Sequence, residues 1–265
     1  MKFPTTEEEC IPVAREFQII SEDSIDTCVC AIDGYMMEIE EPDDYESFDG
    51  DGFWSKFYGI YGINIQGACD HKSRFLFLGV GGPGSRHDDE ALVECPLGDM
   101  IENLPGNYCA IADCGYLPTE HVIPQFAGEA SIKRKNEHFN ACAYLCTDKI
   151  DEAFKLMERW ELLLSPVCCD TTEIWRLVEC IGRLHNFCID ECISKDLSTG
   201  IIGFTNYSRR QAQNRIDATQ SRFDECLSDK SLQVSRNRDE IVHYIDLVSV
   251  VPHEEPFLER TCYLT

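Results

Sequence analysis

Two short apolar runs, each ending on an aspartate, constrain this chain more than any other feature. Residues 28–33 read Cys-Val-Cys-Ala-Ile-Asp, and residues 108–113 read Tyr-Cys-Ala-Ile-Ala-Asp. A run of apolar residues without polar alternation suits a strand buried on both faces, as in the parallel part of an α/β sheet. Ligands of open α/β sheets collect outside the carboxyl ends of the strands. The pattern therefore predicts two interior strands that carry Asp33 and Asp113 to their ends.

The remaining pattern fits that sheet. Residues 3–20 are expected to be helical, with Ile11, Ala14, Phe17 and Ile20 at spacing three and a Thr5-to-Glu8 capping signal. Residues 43–53 are acidic and contain Gly, so they read as a loop. Strands are expected over 61–69 and 74–81, joined by a turn at Asp70-His71-Lys72-Ser73. The Gly81-Gly82-Pro83-Gly84 stretch reads as a chain break, followed by a short helix near Asp88. Two longer helices are expected over 139–164 and 172–192. The order strand, hairpin, helix, strand, helix, helix gives an α/β domain with a mixed sheet. Residues 1–195 are read as this domain and 196–265 as a C-terminal tail that includes the basic stretch Arg209 to Arg215.

Composition sets limits on function. Lys and Arg number 23 against 48 Asp and Glu, a formal charge of −25. Such a chain repels nucleic acid over most of its surface and is expected to be a poor DNA binder by itself. Two basic clusters, Lys133-Arg134-Lys135 and Arg209 to Arg215, could touch DNA or serve as a weak nuclear signal, with a solvated loop and tail as the favoured, plainer reading. The acidic N-terminus has no apolar stretch of the signal-peptide kind, so an intracellular protein is expected. In that setting the 16 cysteines are read as small buried hydrophobes, with Cys28, Cys30, Cys109, Cys142, Cys180 and Cys188 in apolar segments. His185, Cys188 and Cys192 share a helix face, but a fourth ligand and a Cys-x-x-Cys pair are missing, so core packing is favoured over zinc. The Gly79 to Gly84 glycines lack the Lys-Ser/Thr of a phosphate loop and read as a turn.

A third carboxylate, Asp151, lies on the first long helix. Convergent carboxylates are what two-metal phosphoryl chemistry requires, with two hard cations about 4 Å apart. Spacing alone leaves a plainer reading open, in which the strand-end aspartates form turns and Asp151 is a solvated helix residue.

Several pieces of the chain, taken together, are familiar. They run Phe3-Pro4-Thr5-Thr6-Glu7-Glu8, Ala31-Ile32-Asp33-Gly34, Asn64 to Asp70, and Pro83-Gly84-Ser85 with His87-Asp88. They continue with Ala112-Asp113-Cys114-Gly115-Tyr116, Phe139-Asn140, Asp151 with Ala153-Phe154, and Arg183-Leu184-His185-Asn186. In this order, from Lys2 to about Glu191, the chain resembles the DDE nuclease domain of Harbinger-type transposases. The resemblance implies an RNase H-like mixed sheet flanked by helices, with a long C-terminal helical pair. It implies DNA cleavage and joining with Mg²⁺ or Mn²⁺, with Asp33, Asp113 and Asp151 as the catalytic and metal-binding carboxylates.

The match departs from the family at the third carboxylate. The family has Glu three residues before the Phe, where this chain has Asp151, and basic residues where this chain has Thr147 and Glu158. Glu152 is the neighbouring alternative ligand. Asp88 is another candidate for the metal site, with helix N-cap as the plainer role. Members of the family carry a DNA-reading domain ahead of the nuclease and work with a separate Myb-like protein. This chain opens on the nuclease motifs, so such a partner in the nucleus is expected to bring it to DNA, with a cytoplasmic location when the partner is missing. Two functions follow for test: a metal-dependent endonuclease, or a decayed or domesticated interaction module that binds a basic or DNA-binding partner.

Overall fold

The computed structural model describes residues 1–42, 50–168 and 173–192; the basic stretch at 209–215 and the tail lie outside the described residues. In chain order the elements are α1 (Glu7–Ile20), β1 (Cys28–Glu38), α2 (Gly50–Phe53), β2 (Trp54–Ser55), β3 (Ile60–Cys69) and β4 (Phe75–Pro83). They continue with α3 (Asp88–Glu94), α4 (Pro96–Glu102), β5 (Cys109–Ala112), β6 (Val122–Pro124), α5 (Gly128–Ser131), α6 (Arg134–Met157) and α7 (Ile174–Asp190), with a 3-10 turn at Glu161–Leu164.

The strands form one mixed sheet in the order β2-β3-β1-β5-β6, with β4 also paired to β3. β1 lies antiparallel to β3 and parallel to β5, and β5 lies parallel to β6. Each face of the sheet has its own core, because alternate residues of a strand point to opposite sides. Ala31, Tyr35, Met37, Ile111 and Ile65 join the core under α6 and α7, with Phe139, Ile150, Phe154 and Val178. Ile32, Ala68, Ala110 and Ala112 join the second core, under α1, α3 and α4, with Cys10, Leu92, Leu97 and Ile101.

Both outer margins of the sheet are closed by an asparagine from a helix. Asn186 of α7 donates to the Phe75 carbonyl and accepts from the Phe75 N–H, both at 2.8 Å. Asn140 of α6 treats the backbone of Phe126, just past β6, in the same way, again at 2.8 Å for both bonds. Each side-chain amide thus acts as one residue of a neighbouring strand and satisfies backbone groups that would otherwise be unpaired.

Several expectations need correction. β1 does not stop at Asp33 but runs on to Glu38, because Gly34 to Glu38 still pair with β3. Gly34 reads as a turn signal in sequence, yet here it is a strand glycine at a close contact. β4 likewise continues through the glycine stretch to Pro83, and Gly82 takes φ +142°, where the register with β3 shifts. The α1 cap sits one residue later than expected: Thr6 accepts from Glu9 N–H, while Glu9 reaches back to Thr5 N–H. The N-cap of α3 is His87, not Asp88. Residues 43–49 of the expected 43–53 loop lie outside the described residues, and 50–53 form α2 instead. The sequence pattern also gives no sign of β2, α4, β6 or α5, and α6 starts earlier and ends sooner than the 139–164 pattern suggests. The thirteen cysteines among the described residues are all free, and most are buried; Cys180 is exposed rather than packed. Burial raises the thiol pKa values of Cys10, Cys28, Cys30, Cys69, Cys95, Cys109 and Cys142, to about 12 for Cys109, so these seven are inert packing groups.

Candidate active site

Asp33 lies within β1, and Asp113 is the first residue after its parallel neighbour β5. Ile32 is the register partner of Ala112, so the residue after each member of that pair is one of the aspartates. Neighbouring strands lie about 4.8 Å apart, which brings the two backbones as close as a sheet allows. Alternation from Ala31 and Tyr35 puts the Asp33 side chain on the α6 face, and alternation from Ile111 does the same for Asp113. Asp33 is only 3% exposed. One of its oxygens accepts from Gly34 N–H at 2.7 Å, and one of Asp113 accepts from Gly115 N–H at 2.8 Å. Both carboxylates are therefore anchored locally by the backbone that follows them.

α6 packs close to the sheet beside Asp33 because β3 has a glycine at that point. Gly67 is the register partner of Asp33, and a Cβ there would stand 2.8 Å from Phe154 and 3.3 Å from Ile150. Thr147, one turn before Asp151, accepts from Gln125 Nε2 at 3.1 Å, next to the end of β6. Asp151 thus lies on the stretch of helix between a contact beside β6 and a contact beside β1. It is half-buried. Among the described residues, no three His, Cys, Asp or Glu side chains are drawn into one metal-holding group. The structure thus sets Asp33 and Asp113 each one residue past the Ile32–Ala112 pair, with the third carboxylate on the helix packed over that side of the sheet.

The two additional candidates turn elsewhere. Glu152 points to the hairpin turn, where its carboxylate accepts from Ser73 Oγ at 3.0 Å and faces Lys149 Nζ at 3.5 Å. Adjacent helix residues diverge by about 100°, which explains why it parts from Asp151. Asp88 lies on the opposite face of the sheet from the Asp33 side chain. Its Oδ1 accepts from Asn64 Nδ2 at 2.9 Å and from Gln66 Nε2 at 3.5 Å, and it sits against Gly34. Sequence reasoning missed Asn64, Gln66 and Tyr116 as members of this polar group. The signal was there: two amides at spacing two within a buried strand point to one face.

His185 is structural. It is fully buried, its Nε2 bonds the Ser73 carbonyl at 2.7 Å, and burial pushes its pKa below the usual value, so the ring is neutral. Glu158 differs from a plain surface acid, since burial raises its pKa to about 7 against a smaller opposing effect of Lys155. Around neutral pH it carries only part of a negative charge. Lys133, Arg134 and Lys135 are exposed at the N-terminus of α6.

The fold and site define a class, a mixed α/β domain that carries one aspartate, Asp33, inside β1 and a second, Asp113, directly after the parallel neighbour β5. Comparison with known families narrows this class: residues 32–186, more than half of the chain, match the DDE superfamily endonuclease family, and the chain belongs to it. The matched stretch contains Asp33, Asp113 and Asp151. No curated protein and no solved structure matches the chain.

Proposed function

We propose that residues 1–195 form a metal-dependent DNA endonuclease domain of transposon origin, of the Harbinger type and with an RNase H-like arrangement. The observation that carries this reading is that Asp33 and Asp113 each directly follow the paired residues Ile32 and Ala112 of the parallel strands β1 and β5, within the matched family segment. The donor set fits the metal. Carboxylate oxygens suit Mg²⁺ or Mn²⁺, and two carboxylates with water suffice for one such ion. Asp33 and Asp113 would hold that ion, and Asp151 would complete the set for a second. Metal held by these carboxylates would supply activation of the attacking water and charge stabilisation at the leaving oxygen of the phosphodiester. The chain's own part is to keep Asp33 and Asp113 anchored by the Gly34 and Gly115 amides and to shield them with α6. Target recognition would fall to a separate DNA-binding, Myb-like protein in the nucleus, because a chain of net charge −25 is repelled by DNA.

The first test is thermal. At 100 times its Kd, Mn²⁺ stabilises a native-state site by about 2.7 kcal/mol. For a domain of this size that is a rise of roughly 5–10 °C. The rise is expected in the wild type and lost in Asp33→Ala. Nicking of supercoiled DNA with a partner supplied then tests the chemistry. A second reading, an interaction module without catalysis, is favoured by the single-methylene shortening at Asp151 and by the absence of a three-carboxylate group among the described residues. Mn²⁺ binding without nicking in any variant would select it.

A further inference from the structure

The back of the sheet holds a polar chain that the proposed reaction does not use directly. Tyr116 Oη donates to Gln66 Oε1 at 2.8 Å. Gln66 Nε2 donates to Asn64 Oδ1 at 2.8 Å, and Asn64 Nδ2 donates to Asp88 Oδ1 at 2.9 Å. Gln66 is fully buried, and Asn64 and Tyr116 nearly so. The polarity of this chain is fixed from one end. An ionised carboxylate only accepts, so both amides must turn their nitrogens towards Asp88, and Gln66 must present its oxygen to Tyr116.

The two ends of the chain touch the two backbone segments that hold Asp33 and Asp113. At one end, Asp88 Oδ1 lies against Gly34, and a Cβ at residue 34 would fall 2.7 Å from Asp88 Cγ and closer still to Oδ1. Gly34 is also the residue whose N–H holds Asp33. At the other end, Tyr116 directly follows Gly115, whose N–H holds Asp113. The buried amides of β3 span the sheet between these points.

We infer that Asp88, Asn64, Gln66 and Tyr116 form a positioning network that sets the separation of Asp33 and Asp113 from behind the sheet, and that Asp88 acts through this network and not as a metal ligand. The inference rests on the metal-site reading above. Groups that orient metal-binding carboxylates commonly change metal affinity 10- to 100-fold when removed. Tyr116→Phe keeps the ring and its packing and removes only the donor. Asp88→Asn keeps an oxygen that can accept from Asn64 and Gln66 while removing the charge a ligand would need.

The experiment measures Mn²⁺ affinity by calorimetry, apo melting temperature, and amide exchange at Gly34 and Gly115 in the full chain. Tyr116→Phe and Asp88→Ala are expected to weaken Mn²⁺ binding at least tenfold and to speed exchange at both glycines, beyond any change in global stability. Asp88→Asn is expected to keep affinity within about threefold. Loss of binding in Asp88→Asn equal to that in Asp88→Ala would make Asp88 a ligand and overturn the inference. So would unchanged affinity and unchanged exchange in Tyr116→Phe and Asp88→Ala while Asp33→Ala abolishes binding. If wild type binds no Mn²⁺, the metal reading fails by itself, and the exchange at Gly34 and Gly115 still decides whether the network positions these segments.

Discussion

Lengthening Asp151 by one methylene is expected to improve the proposed site. Thr147 is held at Gln125 and Phe154 at Gly67, so the helix between them cannot slide to bring a short side chain closer. Asp151→Glu adds one C–C bond, about 1.5 Å of reach. A misplacement near 1 Å at a reacting centre can cost about 100-fold. Mn²⁺-dependent nicking of supercoiled DNA, with a DNA-binding partner supplied, is therefore expected to rise by about 10- to 100-fold. Stability should change little, because residue 151 is half-buried and its neighbours on the helix stay in place. The control is Glu152→Ala. Its carboxylate sits at Ser73 and Lys149, so the expected result is an unchanged rate and a loss under about 1 kcal/mol. A fall in rate for Glu152→Ala with no gain for Asp151→Glu would refute the reasoning and mean that the other helix carboxylate serves the metal. Adding Thr147→Arg as a further rescue is discouraged by the structure, since Thr147 is buried and bonded to Gln125.

Other consequences are open to direct measurement. Asn186→Ala leaves the Phe75 N–H and carbonyl without their side-chain partner, and urea denaturation is expected to show a loss of about 2–4 kcal/mol; a loss below about 0.5 would contradict the edge-clamp role. Glu158→Gln tests the raised carboxyl pKa. With a folded value of about 7 against 4.5, its contribution is complete below pH 4.5 and lost as pH rises through 7. The variant should therefore gain roughly 1–2 kcal/mol over wild type above pH 7, after solvent screening is allowed for, and nothing at pH 4; equal gains at both would remove the explanation. Gly67→Ala pushes a methyl into Phe154 at 2.8 Å and is expected to cost about 1–3 kcal/mol in thermal unfolding. Fluorescence anisotropy with the isolated chain at physiological salt should give a DNA Kd weaker than about 10 µM; tight partner-free binding would contradict the charge argument.

The sequence made the strands and long helices legible because their signals are local. The unbroken apolar runs before Asp33 and Asp113 identify two interior strands, and the register Ile32 with Ala112 makes them neighbours. What remained hidden depends on contacts between distant residues. Asp33-Gly34 reads as a strand end because Gly commonly punctuates a chain, whereas Gly34 is required by Asp88, brought there by α3. β6 is three residues long, Val122–Pro124, too short for any periodicity. Gln66 and Asn64 look like polar interruptions of a strand until Tyr116 and Asp88 supply their partners.

The charge of the chain and the proposed use of DNA are reconciled by where the positive groups stand. Arg74, Arg86, Arg176 and Arg183 each pair with a carboxylate, which leaves them little to offer a phosphate. Lys133, Arg134 and Lys135 are exposed together at the N-terminus of α6, and the helix dipole adds positive potential at that end. The same helix carries Asp151 further along. A strand of DNA that meets this cationic end would stand at the start of the helix that carries Asp151. Such a short patch neutralises few phosphates, and each counts for a limited share of binding free energy. It can orient DNA delivered by another protein far better than it can capture DNA from solution. That division of labour is what a nuclease unit of charge −25 requires if its carboxylates are to reach a polyanion at all.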